Sequence, residues 1–157
     1  MLVVGISDMK ISTDPLETLV TYSLSSCIGL ALYDPVAKVG GLVHCMLPLS
    51  KIDPAKAKEN PFMFTDTGVT GLLQGLFDKG ATRKNIVAKA AGAATLLDEK
   101  GMFRIGERNY TVMRKILWKN NILIKSEDVG GNVPRTMYLH ITGGKTEIKS
   151  QGKVTEL

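Results

Sequence analysis

Thr21-Tyr22-Ser23-Leu24-Ser25-Ser26-Cys27-Ile28-Gly29-Leu30-Ala31-Leu32-Tyr33 runs into Asp34-Pro35, and the chain returns through Gly40-Gly41-Leu42-Val43-His44-Cys45-Met46-Leu47-Pro48. Thr18 to Tyr22 is β-branched and aromatic, the composition of a strand. Ser23 to Ser26 is small and polar and reads as a tight bend. Ile28 to Tyr33 is apolar throughout, which suits a strand covered on both faces. Asp34-Pro35 opens a connection ending at Gly40-Gly41, and Leu42 to Leu47 is the return strand, stopped by Pro48. Two strands joined in this way lie side by side, so Cys27 at the start of one can face His44 in the other. Alternation puts Leu42, His44 and Met46 on one face and Val43, Cys45 and Leu47 on the other. Only one of the two cysteines can therefore work with His44, and Cys45 reads as structural.

Outward from this hairpin, Leu2 to Ile6 reads as a first strand, Ser7-Asp8 as a turn, and Met9 to Ile11 as more extended chain. Lys51 to Asn60, lysine-rich and bounded by prolines, reads as a mobile surface loop. Phe62-Met63-Phe64 is either an anchor into the core or a cleft wall. Val69, Leu72, Leu73, Leu76 and Phe77 follow the spacing of an amphipathic helix, capped by Thr65 or Asp66 and ended by Gly80. Ile86 to Ala91 reads as a strand leading to a small-residue patch, Gly92-Ala93-Ala94-Thr95, where another backbone or a ligand can come close. Asp98 to Met102 reads as a loop. A second amphipathic helix is expected from Ile105 to Lys119, with Asn109 in its apolar stripe as a pin for nearby backbone. Ile122 to Ile124 reads as a strand, and Glu127 to Asn132 as a turn or bulge. Thr136 to Ile141 is a half-buried strand, and a turn at Thr142 to Lys145 leads into another strand at Thr146 to Lys149. Residues 151–157 read as a loose tail. Many hairpins and few crossovers predict one α+β domain over 1–157, with mixed or antiparallel, sandwich-like sheets flanked by helices.

The 157 residues suit a single core, and 44% hydrophobic with 22% charged residues is ordinary for a globular chain. No apolar run approaches the length of a membrane span, and the start lacks the basic and apolar segments of a signal peptide, so the expected location is cytoplasmic. The net charge of +5 is spread along the chain, which argues against a nucleic-acid arm and leaves either a solvated surface or a basic face toward an acidic partner. Two histidines and two cysteines without metal-ligand spacing predict no metal. The missing phosphate-loop signature predicts no nucleotide cofactor. Cysteine chemistry remains. Cys27 is either a small buried hydrophobe or a nucleophile whose thiolate is favoured by His44. Backbone N–H groups of the bend can hold an oxyanion, and Thr21 can orient the imidazole. His140 is a competing base with nothing local to place it.

Several motifs together resemble one family. They are Thr21, Ser25-Ser26-Cys27-Ile28, Asp34-Pro35, Gly40-Gly41-Leu42-Val43-His44, Leu47-Pro48, Ile105-Gly106-Glu107-Arg108-Asn109, Glu127-Asp128-Val129-Gly130-Gly131 and Arg135. The pattern is similar to the chemoreceptor glutamine deamidases of the CheD family, from Leu2 to Lys149, with departures at Ser25, Val43 and Pro134. The resemblance implies a fold related to deamidating toxin catalytic domains. It implies a cysteine amidohydrolase with Cys27, His44 and Thr21 as the catalytic set, with Ser26 and Ile28 beside the oxyanion. The implied substrates are glutamine side chains on the cytoplasmic domains of chemoreceptors. A CheC-type phosphatase of the chemotaxis response regulator is the implied partner, and a non-enzymatic regulator that mainly engages this phosphatase is the alternative.

Overall fold

The apolar run at Ile28 is the centre of the molecule. In the computed structural model, which describes residues 1–95 and 104–157, β4 (Ile28–Asp34) has every residue buried. Its neighbour β5 (Val39–Cys45) is equally buried. Together with β2 (Asp8–Ser12), β6 (Val87–Gly92) and β7 (Ile124–Val129) they form one five-stranded sheet, in the order β2-β5-β4-β6-β7. The second sheet has the order β1-β3-β8-β9-β10, from β1 (Leu2–Val3), β3 (Thr18–Leu24), β8 (Arg135–His140), β9 (Thr146–Ser150) and β10 (Lys153–Glu156). Pairing is antiparallel except for β1 with β3 and β6 with β7. The expected α+β architecture of mixed, sandwich-like sheets with flanking helices is the one observed.

Two cores explain why β4 does not alternate. Leu19, Leu24, Ala31, Leu42, Met137 and Leu139 pack between the sheets. Ile28, Leu30, Leu32, Val43 and Cys45 pack on the other side against α2 (Thr65–Asp78) and α3 (Ile105–Lys119), through Val69, Leu72, Leu76, Met113 and Leu117. The outer sheet has one covered face, and β8 alternates accordingly, with Arg135, Met137 and Leu139 buried. Each full-sized aliphatic side chain in these layers contributes about 1.5–3 kcal/mol on burial.

Several local expectations are corrected. Lys51 to Asn60 is not a loop: it holds a 3-10 turn at Ser50–Ile52 and a short helix, α1 (Pro54–Glu59). Pro54 opens α1, and the Asp53 side chain accepts from the Lys56 N–H. Phe64 is the anchor, fully buried. Neither Thr65 nor Asp66 caps α2, because Phe64 holds the cap position. Thr65 turns inward instead and donates to Asn109 Oδ1. The turn after β4 is tighter than the glycines suggested. The ladder continues through Tyr33↔Gly40 and Leu32↔Gly41, and Asp34 Oδ1 accepts from the N–H groups of Val36 and Ala37. Leu2 to Ile6 yields only the two-residue β1. Ile122 and Leu123 precede β7, which takes in Glu127 and Asp128 rather than breaking there. Residues 151–157 are no loose tail, since β10 pairs with β9 from Lys153↔Ser150 to Glu156↔Glu147. The expected loop at 98–102 lies outside the described residues.

Candidate active site

Register brings the hairpin residues together. Gly29 pairs with His44 and Ile28 with Cys45. Cys27, one step before β4, thus lies diagonally across from His44 on the same face, a separation that side chains bridge. The residue directly opposite His44 has no side chain. A Cβ at Gly29 would lie 2.7 Å from Leu24 Cδ1. That face looks into the sandwich, toward β3. Thr21, one short bend upstream in the chain, is therefore brought to His44 from the opposite sheet.

His44 and Thr21 are both fully buried. Thr21 Oγ1 lies 2.7 Å from His44 Nδ1 and donates to the Val4 carbonyl at 2.7 Å. A carbonyl only accepts and a hydroxyl has one proton, so that proton is committed to Val4. Thr21 must then accept from Nδ1–H. This fixes the tautomer: Nε2 carries the lone pair. Nε2 is buried and has no hydrogen-bond partner, which leaves it open as a base.

Burial governs the charge states. It pushes His44 down to about 4, so the imidazole is neutral at physiological pH. Burial also raises the Cys27 thiol above its ordinary range, with the residue's own backbone N–H acting in the opposite direction. The expected resting thiolate is thus corrected to a neutral thiol beside a neutral imidazole. Cys45 is fully buried, and desolvation raises its thiol further. It packs in the helix-side core, as its strand parity predicts. His140, the competing base of the sequence reading, lies away from Cys27. It is held in the outer sheet by Thr18 Oγ1 at 3.0 Å and Glu147 Oε1 at 2.6 Å.

The bend that carries Cys27 is pinned by its carbonyls. Ser25 O accepts from Ala94 N at 2.7 Å, and Cys27 O from Ala93 N at 2.8 Å. Ser26 O accepts from Asn109 Nδ2 at 2.9 Å. Asn109 Nδ2 also donates to Met46 O at 3.1 Å, across the hairpin. The apolar-stripe amide is thus the expected backbone pin, and the backbone it pins flanks Cys27. The small-residue patch is occupied by this bend rather than by a ligand. Gly92 adopts a φ of +104°, and a Cβ there would collide with Cys27 O. The Val4 carbonyl escaped sequence reasoning, because a main-chain acceptor leaves no residue-type signal. Among the described residues no group of His, Cys, Asp and Glu could hold a metal, and no helix is long and apolar enough to cross a membrane.

A two-sheet α+β domain with a buried Thr–His pair beside a half-buried cysteine is the class these features define. Residues 46–150 match the family model for CheD chemotactic sensory transduction. A Solibacter usitatus protein named probable chemoreceptor glutamine deamidase CheD is 47% identical over 156 residues, covering 99% of this chain and 92% of that one. A Syntrophus aciditrophicus protein, probable chemoreceptor glutamine deamidase CheD 1, is 49% identical, covering 96% and 94%. One from Anaeromyxobacter dehalogenans, CheD 2, is 38% identical, covering 100% and 99%. The chain belongs to the CheD family. Among solved structures, the Bacillus licheniformis hypothetical protein YfiH is 14% identical with a TM-score of 0.45, covering 78% of this chain and 49% of that one.

Proposed function

We propose that this protein is a chemoreceptor glutamine deamidase, a cytoplasmic protein-glutamine glutaminase acting through Cys27, His44 and Thr21. The observation that carries the reading is the committed Thr21 proton, which leaves the His44 Nε2 lone pair buried and unpartnered on the face of Cys27. Membership in a family whose curated relatives bear that name supports the substrate.

In this mechanism Cys27 Sγ attacks the glutamine carboxamide carbon as its proton passes to His44 Nε2. Neutral resting groups make the proton transfer and the attack one event. The new S–C bond leaves an oxyanion. In a trans peptide the N–H points opposite the C=O, and no peptide in the described chain is cis. Anchoring the carbonyls of Ser25 and Ser26 therefore aims the N–H groups of Ser26 and Cys27 away from those anchors, available to the oxyanion. The N–H of Ile28 lies opposite the Cys27 carbonyl that the Ala93 N–H binds, on the β5 side where Ile28 pairs with Cys45, and is therefore not counted among these donors. The C–N bond breaks as His44 returns the proton to departing ammonia. Water then gives a proton to Nε2 and adds to the thioester, releasing glutamate and the thiol. Thr21 holds the imidazole throughout, the third-member role.

The test is incubation with a purified receptor cytoplasmic fragment, reading ammonia release and the masses of glutamine-bearing peptides. Conversion of glutamine to glutamate is expected, and a fragment left unmodified would overturn the reading. Family membership also supports engagement of a CheC-type phosphatase. Size-exclusion chromatography of the mixture checks it, with co-elution expected and separate peaks counting against it.

A further inference from the structure

The sequence contains one tryptophan, and the fold leaves it outside. Trp118 is 70% exposed and Leu123 beside it 80%. Exposing these large side chains together forfeits burial that both would gain from a cover. Tyr110, Arg114 and Trp118 stand four residues apart and form one stripe along α3. Two open grooves of about 300 and 350 Å³ share these three residues. The second reaches Leu123 and Ile124, where β7 forms the end of its sheet.

Charge sets the occupant. Arg114 and Lys115 line the groove, and Lys119 follows Trp118 at the end of α3. Its one lining acid, Glu127, already accepts from the Tyr110 hydroxyl at 2.9 Å. A basic rim around an apolar seat fits an acidic segment that carries a large apolar side chain.

Position links the groove to the site. Asn109, adjoining Tyr110, holds the Ser26 carbonyl next to Cys27. The ladder Val129↔Gly92↔Ile28 puts the end of β7 at the same end of its sheet as Cys27. Two strand spacings separate them, roughly 10 Å. From Tyr110 to Trp118 is about 12 Å along the helix axis. The groove lies on the helix-covered face, whose core takes in Tyr110 and Ile124, and Cys27 packs on the sandwich side, so a protein chain with its glutamine at Cys27 enters the groove by passing round this shared end of the sheet.

We propose that the Tyr110–Arg114–Trp118 groove is an exosite for an acidic, apolar-bearing segment of the protein substrate that flanks the target glutamine. This rests on the deamidase reading. The experiment compares wild type, Trp118→Ala and Arg114→Glu on a tryptophan-free receptor cytoplasmic fragment and on a short glutamine peptide lacking the flanks. In parallel, wild-type Trp118 fluorescence is titrated with the fragment, and Arg114→Glu is titrated likewise.

Each variant should raise KM for the fragment about tenfold with kcat unchanged, the scale of a partly desolvated aromatic or arginine anchor. Kinetics on the short peptide should not move. Trp118 emission should shift to the blue and saturate in wild type, with the midpoint about tenfold higher in Arg114→Glu. Unchanged fragment KM, or an equal rise for the short peptide, overturns the exosite. So does sedimentation showing a wild-type dimer that Trp118→Ala dissociates, since a second copy then covers the face. A fluorescence shift without deamidation keeps the exosite and sinks the deamidase reading.

Discussion

Replacing Thr21 by valine removes one hydroxyl and keeps the shape, so it isolates the tautomer logic. The hydroxyl is bonded on both sides, to the Val4 carbonyl and to His44 Nδ1. Both partners are inside a sandwich where Thr21 and His44 have no exposure. Valine leaves a buried carbonyl and a buried ring nitrogen unmet. Each costs about 1–3 kcal/mol, and about 4 kcal/mol together is the centre of that range. For a domain of this size that lowers Tm by roughly 10 °C. The catalytic loss is larger in kind, because the imidazole is no longer held with its proton on Nδ1. A fall in kcat of about 10²–10⁴ is the scale for losing a base or its orienter. Thr21→Ser keeps the oxygen and should restore most of both quantities. Thermal unfolding, ammonia-release kinetics and the ¹⁵N shifts of His44 read out stability, rate and tautomer. Wild-type kcat in Thr21→Val, or a Thr21→Ser protein as impaired as Thr21→Val, would refute the reasoning.

Acid should act through His44. Its folded pKa is about 4 against about 6.5 unfolded, so between those values the unfolded chain binds the proton. Stability due to the neutral ring is therefore full above about pH 6.5 and is lost as pH falls toward 4, by about 3 kcal/mol. Urea midpoints at pH 7 and pH 4.5 should show this loss in wild type and a smaller one in His44→Gln, and identical losses would count against it. The acid limb of kcat/KM should likewise sit near pH 4 rather than 6.5. Asn109→Ala should release the Ser26 and Met46 carbonyls. Activity should fall at least about tenfold, on the scale of one misaligned oxyanion donor, and wild-type kcat on the receptor fragment would contradict that.

The hairpin was legible because its two strands differ from their surroundings in kind. A continuous apolar run marks β4 as covered on both sides, and strand parity alone separates His44 from Cys45. The register Gly29↔His44 then kept both assignments. What the sequence could not show lies across the sandwich. Thr21 reaches His44 from another sheet, and Val4 acts through its carbonyl, which any residue type supplies. The charge states also reversed. Pairing alone suggests a thiolate, whereas depth of burial, a property of the whole fold, favours both neutral forms. Lys51 to Asn60 misled because lysines facing water look alike in a loop and on an exposed short helix such as α1. Asn109 was legible as an anomaly, a lone amide in an apolar stripe, and its partners became visible only once α3 was packed on β4 and β5.

The proposed mechanism turns on Cys27 as the nucleophile. The direct measurement is mass spectrometry of a receptor cytoplasmic fragment after incubation with wild type or with Cys27→Ala at equal folded concentration. Wild type is expected to convert glutamine to glutamate, and Cys27→Ala to form none above background. Glutamate formed by Cys27→Ala at the wild-type rate would contradict it.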